Sequence, residues 1–287
     1  MNRRSFMIQS AALALVSSAP SVSASQQQAR PPVRFNPTRF SVTVRGRGPD
    51  VILIPGLTSG PHVWERVVRD VPGYRYHLVH VAGFAGQPAR GNAQGAVVAP
   101  IVAEIARYIE AAGLRRPALV GHSMGGTIAT MVAARYPDRA GKVMVVDMTP
   151  QPAGFVGSSA AGVRGLADAL QALTATPNGR RLVESAVEMF GGAQPGDRRS
   201  DTDVVARATH ELAVTDLTAE LGRIKAPLTV MYAVPNAEQR AALTARYEAA
   251  YRAKRDSRLV RIEGSGHMIM FDQPAKFRSE LKSFLST

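Results

Sequence analysis

The run Gly121-His122-Ser123-Met124-Gly125 holds the residue type and spacing best suited to chemistry in this chain. It follows a short apolar segment, Ala118-Leu119-Val120, and precedes a segment with helical periodicity that stops before Pro137. A serine on a tight strand-to-helix turn is pushed out of the backbone where its hydroxyl can attack a substrate. The flanking positions must then be nearly free of side chains, which Gly121 and Gly125 satisfy. The helix that begins there also favours negative charge developing beside the serine. A serine hydroxyl is a weak nucleophile until a base takes its proton. Six histidines could supply that base: His62, His77, His80, His122, His210 and His267.

These residues need a frame. Val51–Ile54, Tyr76–Val81, Ala118–Val120, Lys142–Val146, Leu228–Tyr232 and Leu259–Ile262 read as strands, most of them continuously apolar, which suits burial on both faces. Phe40–Val44 alternates like an edge strand. Helical segments separate them: one through Trp64 and Val68, then 99–112, 125–135, 237–254 and 274–285, the last with Pro274 at a first-turn position. Strands alternating with helices predict an α/β fold, a mostly parallel sheet with helices on both faces. The alternation breaks after Asp147. Residues 148 to about 222 read as loops and helical stretches, around 166–173, 182–190 and 204–221, and predict a helical cap inserted above the carboxyl ends of the strands.

Composition narrows the classes. The chain has 287 residues, 45% of them hydrophobic and 20% charged, values of a globular domain. No cysteine is present, which excludes disulfides, a thiol nucleophile and thiolate-bound metals. The formal charge of +13 comes mostly from arginine and reads as a solvated surface, since the basic residues form no nucleic-acid module. Residues 1–24 combine Arg3-Arg4, an apolar core from Ala11 to Val16 and small residues ending at Ala24. This pattern predicts a signal peptide, the paired arginines resemble a twin-arginine export signal, and a periplasmic or secreted protein is expected. Its apolar run is too short to cross a bilayer, so no stable membrane insertion is expected. Residues 25–38 read as a flexible tether and 39–287 as the catalytic domain with its cap.

Three clusters together resemble the α/β-hydrolase superfamily: Ile54-Pro55-Gly56-Leu57 with Trp64, Gly121 to Gly126, and Gly264-Ser265-Gly266-His267 with Gln273-Pro274. The resemblance runs from residue 40 to the end. It implies that Ser123 is the nucleophile, that His267 is the base, and that the backbone N–H groups of Leu57 and Met124 form the oxyanion hole. One departure is Pro55-Gly56 where the family commonly has His-Gly. Another concerns the acid that orients the base. It usually follows the strand at 228–232, but Asn236 stands there, and an amide cannot stabilise a charged imidazole. Asp147, ending the strand after the nucleophile helix, matches a variant of the family with the acid at that place; Glu238 is the runner-up, and Asp272 reads as the cap of the last helix.

The implied activity is ester hydrolysis through an acyl-enzyme, on a small-molecule substrate, with no metal and no cofactor. C–C bond hydrolysis, lactone hydrolysis, acyl transfer and cofactor-free peroxidase-like chemistry use the same residues and remain alternatives. Met148, Phe155, Met189, Phe190, Met268 and Met270 are candidates for an apolar acyl pocket. The sequence carries no indication of oligomeric state.

Overall fold

The computed structural model describes residues 35–155 and 199–287. Among the described residues seven strands form one sheet: β1 (Phe40–Gly46), β2 (Asp50–Ile54), β3 (Arg75–Val81), β4 (Ala118–His122), β5 (Lys142–Val146), β6 (Leu228–Val234) and β7 (Arg258–Glu263). Their order is β1-β3-β2-β4-β5-β6-β7. Of these strands β1 and β3 pair antiparallel, and the other pairs are parallel. The described helices are α1 (Glu65–Asp70), α2 (Val98–Ala111), α3 (Met124–Arg135), α4 (Pro152–Phe155), α5 (Thr202–Val214), α6 (Arg240–Tyr251), α7 (Ile269–Asp272) and α8 (Pro274–Ser286).

The continuous apolar strands divide their side chains between two cores. Ile52 and Ile54 of β2, with Val143, Val145 and Val230, pack with α2 and α3. Val51 and Leu53 point the other way, with Val120, Met144, Val146 and Met231, and pack against Trp64 and α8. Alternation along a strand sends successive residues to opposite faces, so a strand covered on both sides must be apolar throughout. Each fully buried aliphatic side chain contributes about 1.5–3 kcal/mol. Helix α8 buries Phe277, Leu281, Phe284 and Leu285, one stripe at helical spacing.

Two expected helices differ from their sequence reading. The segment 204–221 splits into α5 and a 3-10 turn, Thr218–Arg223, because Thr215 is extended and Asp216 Oδ1 accepts from the N–H of Thr218. Helix α6 starts at Arg240 rather than 237, because Asn236 Oδ1 accepts from the N–H of Gln239 and shapes a turn ahead of it.

Helix α5, the described end of the expected insertion, is tied to the rim at the carboxyl end of β3. Asp201 caps it and donates its own N–H to Gly83 O at 2.7 Å. Glu211 of α5 accepts from Val97, Val98 and Ala99 at the amino end of α2, which has no side-chain cap of its own. Gly83 admits this approach, since a Cβ there would lie 2.8 Å from a Val204 methyl. The expected signal peptide and most of the tether lie outside the described residues, as do Met189 and Phe190; the side chain of Phe155 is likewise outside the description. Among the described residues no helix is long and apolar enough to cross a membrane.

Candidate active site

Parallel register brings the first two candidate residues to one level. In the β4–β5 pair His122 lies opposite Val146, so Ser123 and Asp147 each follow the last paired residue of adjacent strands. Both leave their strands with left-handed backbone, φ 54° at Ser123 and 53° at Asp147. Such conformations cost about 1–3 kcal/mol at a non-glycine residue and persist where surroundings impose them. Here the surroundings are hydrogen bonds: Ser123 N–H donates to Val146 O at 2.9 Å, and Asp147 N–H donates to Met231 O at 2.7 Å.

The glycines of the turn are required by backbone contact. A Cβ on Gly121 would stand 2.0 Å from Gly125 O, and one on Gly125 would stand 2.2 Å from Ile54 O. Gly56 presses the β2 loop against the turn, its own Cβ position lying 3.2 Å from Ser123 Cβ. Leu57, next in that loop, is half-buried, and Met124 is fully buried at the first turn of α3.

His267 follows β7 through Gly264-Ser265-Gly266, and its Nδ1 lies 2.8 Å from Oδ2 of Asp147. A carboxylate only accepts, so Nδ1 carries the proton and the lone pair of a neutral ring sits on Nε2. The other carboxylate oxygen, Oδ1, accepts from the Ala233 N–H at 2.9 Å and from the Tyr247 hydroxyl at 3.1 Å. Asp147 is thus buried with both carboxylate oxygens hydrogen-bonded, the condition for keeping a charge out of water. Exposure rises from 4% at its side chain to 26% at that of His267.

Several residues hold the His267 loop. His122 is fully buried, and its Nε2 donates to the His267 carbonyl at 2.9 Å. Burial, then the neighbouring His267 ring, push the His122 pKa down to about 3, so it stays a neutral donor. Its ring centroid is 4.5 Å from that of His267. Asp272 does not cap the last helix, as its sequence position suggested. Its Oδ2 accepts from the Gly266 N–H at 2.9 Å, and Gln273, the residue at the start of α8, donates its side-chain amide to Gly264 O. The loop turns back far enough that these contacts outcompete the cap.

The alternative acids lie elsewhere. Asn236 and Glu238 are exposed, and Asn236 is engaged with Gln239. Of the other histidines, His77 is buried at the amino end of the strands, between Asp50 Oδ1 at 2.9 Å and the Tyr108 hydroxyl at 2.7 Å. His80 is half-buried beside Phe84 O. Met148 is 5% exposed within the α2–α3 core, Met270 is buried in the opposite core, and Met268 is half-buried against it.

Sequence reasoning passed over Tyr247, the Ala233 N–H and the role of Asp272. A tyrosine on the apolar face of a helix looks like any core aromatic. Only the position of a carboxylate 100 residues earlier distinguishes it.

A parallel sheet of this order, with a strained serine turn after its central strand and an acid–imidazole pair at the same edge, defines the α/β-hydrolase class. The alpha/beta hydrolase family model matches residues 51–280, and the chain belongs to that family. The pimeloyl-[acyl-carrier protein] methyl ester esterase of Vibrio atlanticus (strain LGP32) is 32% identical over 109 residues, 38% of this chain and 40% of that protein. The protein of the same name from Aeromonas hydrophila is 32% identical over 114 residues, 39% of this chain and 43% of that one. The similarity therefore spans about two fifths of these relatives' length. Among solved structures, an esterase from Exiguobacterium antarcticum superposes with a TM-score of 0.66 at 19% identity, covering 86% of this chain and 96% of that one. The E-2-(acetamidomethylene)succinate hydrolase gives 0.64 at 20% identity, with the same coverage. These likenesses carry the fold.

Proposed function

We propose that this chain is a serine hydrolase that cleaves a carboxylic ester through an acyl-enzyme. The observation that carries this reading is the 2.8 Å contact between Asp147 and His267, with Asp147 level with Ser123 on the neighbouring strand. In the proposed reaction Ser123 Oγ attacks the ester carbonyl while its proton passes to His267 Nε2. The N–H groups of Leu57 and Met124 receive the oxyanion, and one such donor is worth on the order of a hundredfold in rate. The intermediate collapses, the C–O bond to the alcohol breaks, and His267 returns the proton to the leaving alkoxide. Water then attacks the acyl-serine by the same proton route and releases the acid. Asp147 holds the ring with Nδ1 protonated and stabilises the imidazolium as it forms. The relatives named as methyl ester esterases support an ester as the bond cleaved.

The test pairs an activity with a covalent probe. Purified protein is expected to hydrolyse p-nitrophenyl butyrate and to be labelled by a fluorophosphonate at Ser123. Ser123→Ala is expected to abolish labelling and to lower kcat by at least about a thousandfold. Folded protein that shows neither hydrolysis nor labelling overturns the reading.

A further inference from the structure

We propose that Tyr247 is a positioning residue of this site, its hydroxyl holding the Asp147 carboxylate in the orientation that receives His267. The proposal rests on the serine-hydrolase reading and extends it to a residue on α6. Rotation about the terminal torsion of an aspartate is soft, so a carboxylate aimed at one imidazole needs its second oxygen fixed. At Asp147 that oxygen, Oδ1, has two donors: the rigid N–H of Ala233 in β6 and the hydroxyl of Tyr247. The tyrosine is itself immobilised. It is 1% exposed, and its ring stacks on Tyr232 with centroids 4.4 Å apart and planes 17° apart. The Tyr232 hydroxyl in turn donates to Thr244 Oγ1 of α6.

Tyr251, one helical turn on, has its ring nearly parallel to that of Tyr247 and donates its hydroxyl to Met148 O at 2.7 Å. Two tyrosines at helical i, i+4 spacing thus grip consecutive residues, one by side chain and one by backbone. Burial and the Asp147 charge both hold the Tyr247 hydroxyl in its protonated form, so it remains a donor throughout the range in which an ester hydrolase works.

Tyr251 provides the control, because it loses an equally buried hydroxyl that does not touch the carboxylate. The experiment measures p-nitrophenyl butyrate kinetics and the nitrogen chemical shifts of the His267 ring in wild type, Tyr247→Phe and Tyr251→Phe. Removing the Tyr247 hydroxyl is expected to lower kcat about tenfold with KM within about twofold, the pattern of a lost transition-state interaction. The nitrogen shifts should move from the Nδ1-protonated tautomer toward a mixture in Tyr247→Phe and remain as wild type in Tyr251→Phe. Wild-type nitrogen shifts in Tyr247→Phe overturn the proposal, as do equal changes in Tyr251→Phe, which would assign the effect to helix packing. The ring signals need no substrate, so they decide the role of Tyr247 even if the wild type turns over no ester.

Discussion

Replacing Asp147 by asparagine tests the candidate site most sharply, because the structure dictates how the amide must sit. The Ala233 N–H points at Oδ1 from β6 and cannot reverse its polarity, and the Tyr247 hydroxyl arrives at the same oxygen. Turning the amide NH2 toward that backbone donor would leave buried donors unpaired, at about 1–3 kcal/mol each. The amide oxygen therefore stays at the Oδ1 position and the NH2 faces His267 Nδ1. That nitrogen must then accept, which moves the ring proton to Nε2, where the proton of Ser123 has to be received. Restoring the productive tautomer breaks a hydrogen bond, and the imidazolium also loses its counter-charge. Together these cost about 4–5.5 kcal/mol, three to four decades in kcat. Steady-state hydrolysis of p-nitrophenyl butyrate measures it, with Asn236→Ala and Glu238→Gln as companions expected to stay within about twofold of wild type, as exposed side chains do. Retention of more than a tenth of wild-type kcat in Asp147→Asn would refute the assignment. So would a hundredfold loss in either companion.

Two further outcomes follow from the packing. In the native state His122 stays neutral down to about pH 3, whereas an unfolded histidine takes its proton near 6.5, so the unfolded state binds more protons in between. This contribution to stability is complete above about pH 7 and falls as pH drops, by about 2 kcal/mol at pH 5; urea titrations at both pH values should show a gap smaller by that amount in His122→Gln. Gly125→Ala drives a Cβ into backbone at Ile54 and should destabilise by more than about 3 kcal/mol in thermal unfolding, while Gly222→Ala, with open space around it, should be nearly neutral.

Much of this architecture was legible from residue pattern because both faces of the sheet are covered. Val51–Ile54 and Val143–Val146 are apolar at every position for that reason, and the ends expected for these two strands fall within a residue of the observed ones. The serine turn was legible because backbone contacts at Gly121 and Gly125 admit no side chain. The choice among Asp147, Asn236 and Glu238 was harder. It depends on where a loop turns, and the Asn236–Gln239 hydrogen bond that turns it outward leaves no periodic trace. Asp272 shows the same limit, since a residue ahead of Gln273-Pro274 has the sequence context of a cap while its partner lies back in the His267 loop.

In the proposed mechanism the position of Asp147 also explains how an acid can leave the strand that usually supplies it. Strand β6 keeps a part in the arrangement without carrying the carboxylate. Its Met231 carbonyl takes the Asp147 N–H, and its Ala233 N–H holds the side chain, so the residue is fixed at both ends to one strand. A carboxylate on the loop after β6 would have to hold itself against solvent at the head of α6, where Asn236 and Glu238 are exposed. Moving it one strand toward the nucleophile exchanges that loop for a sheet edge, at the cost of one left-handed residue and a buried charge. The strand template and the Tyr247 hydroxyl offset that cost, because a buried carboxylate with every partner in place is held far more rigidly than an exposed one. The geometry that makes Asp147 costly to bury therefore also suits it to the orienting role proposed for it at His267.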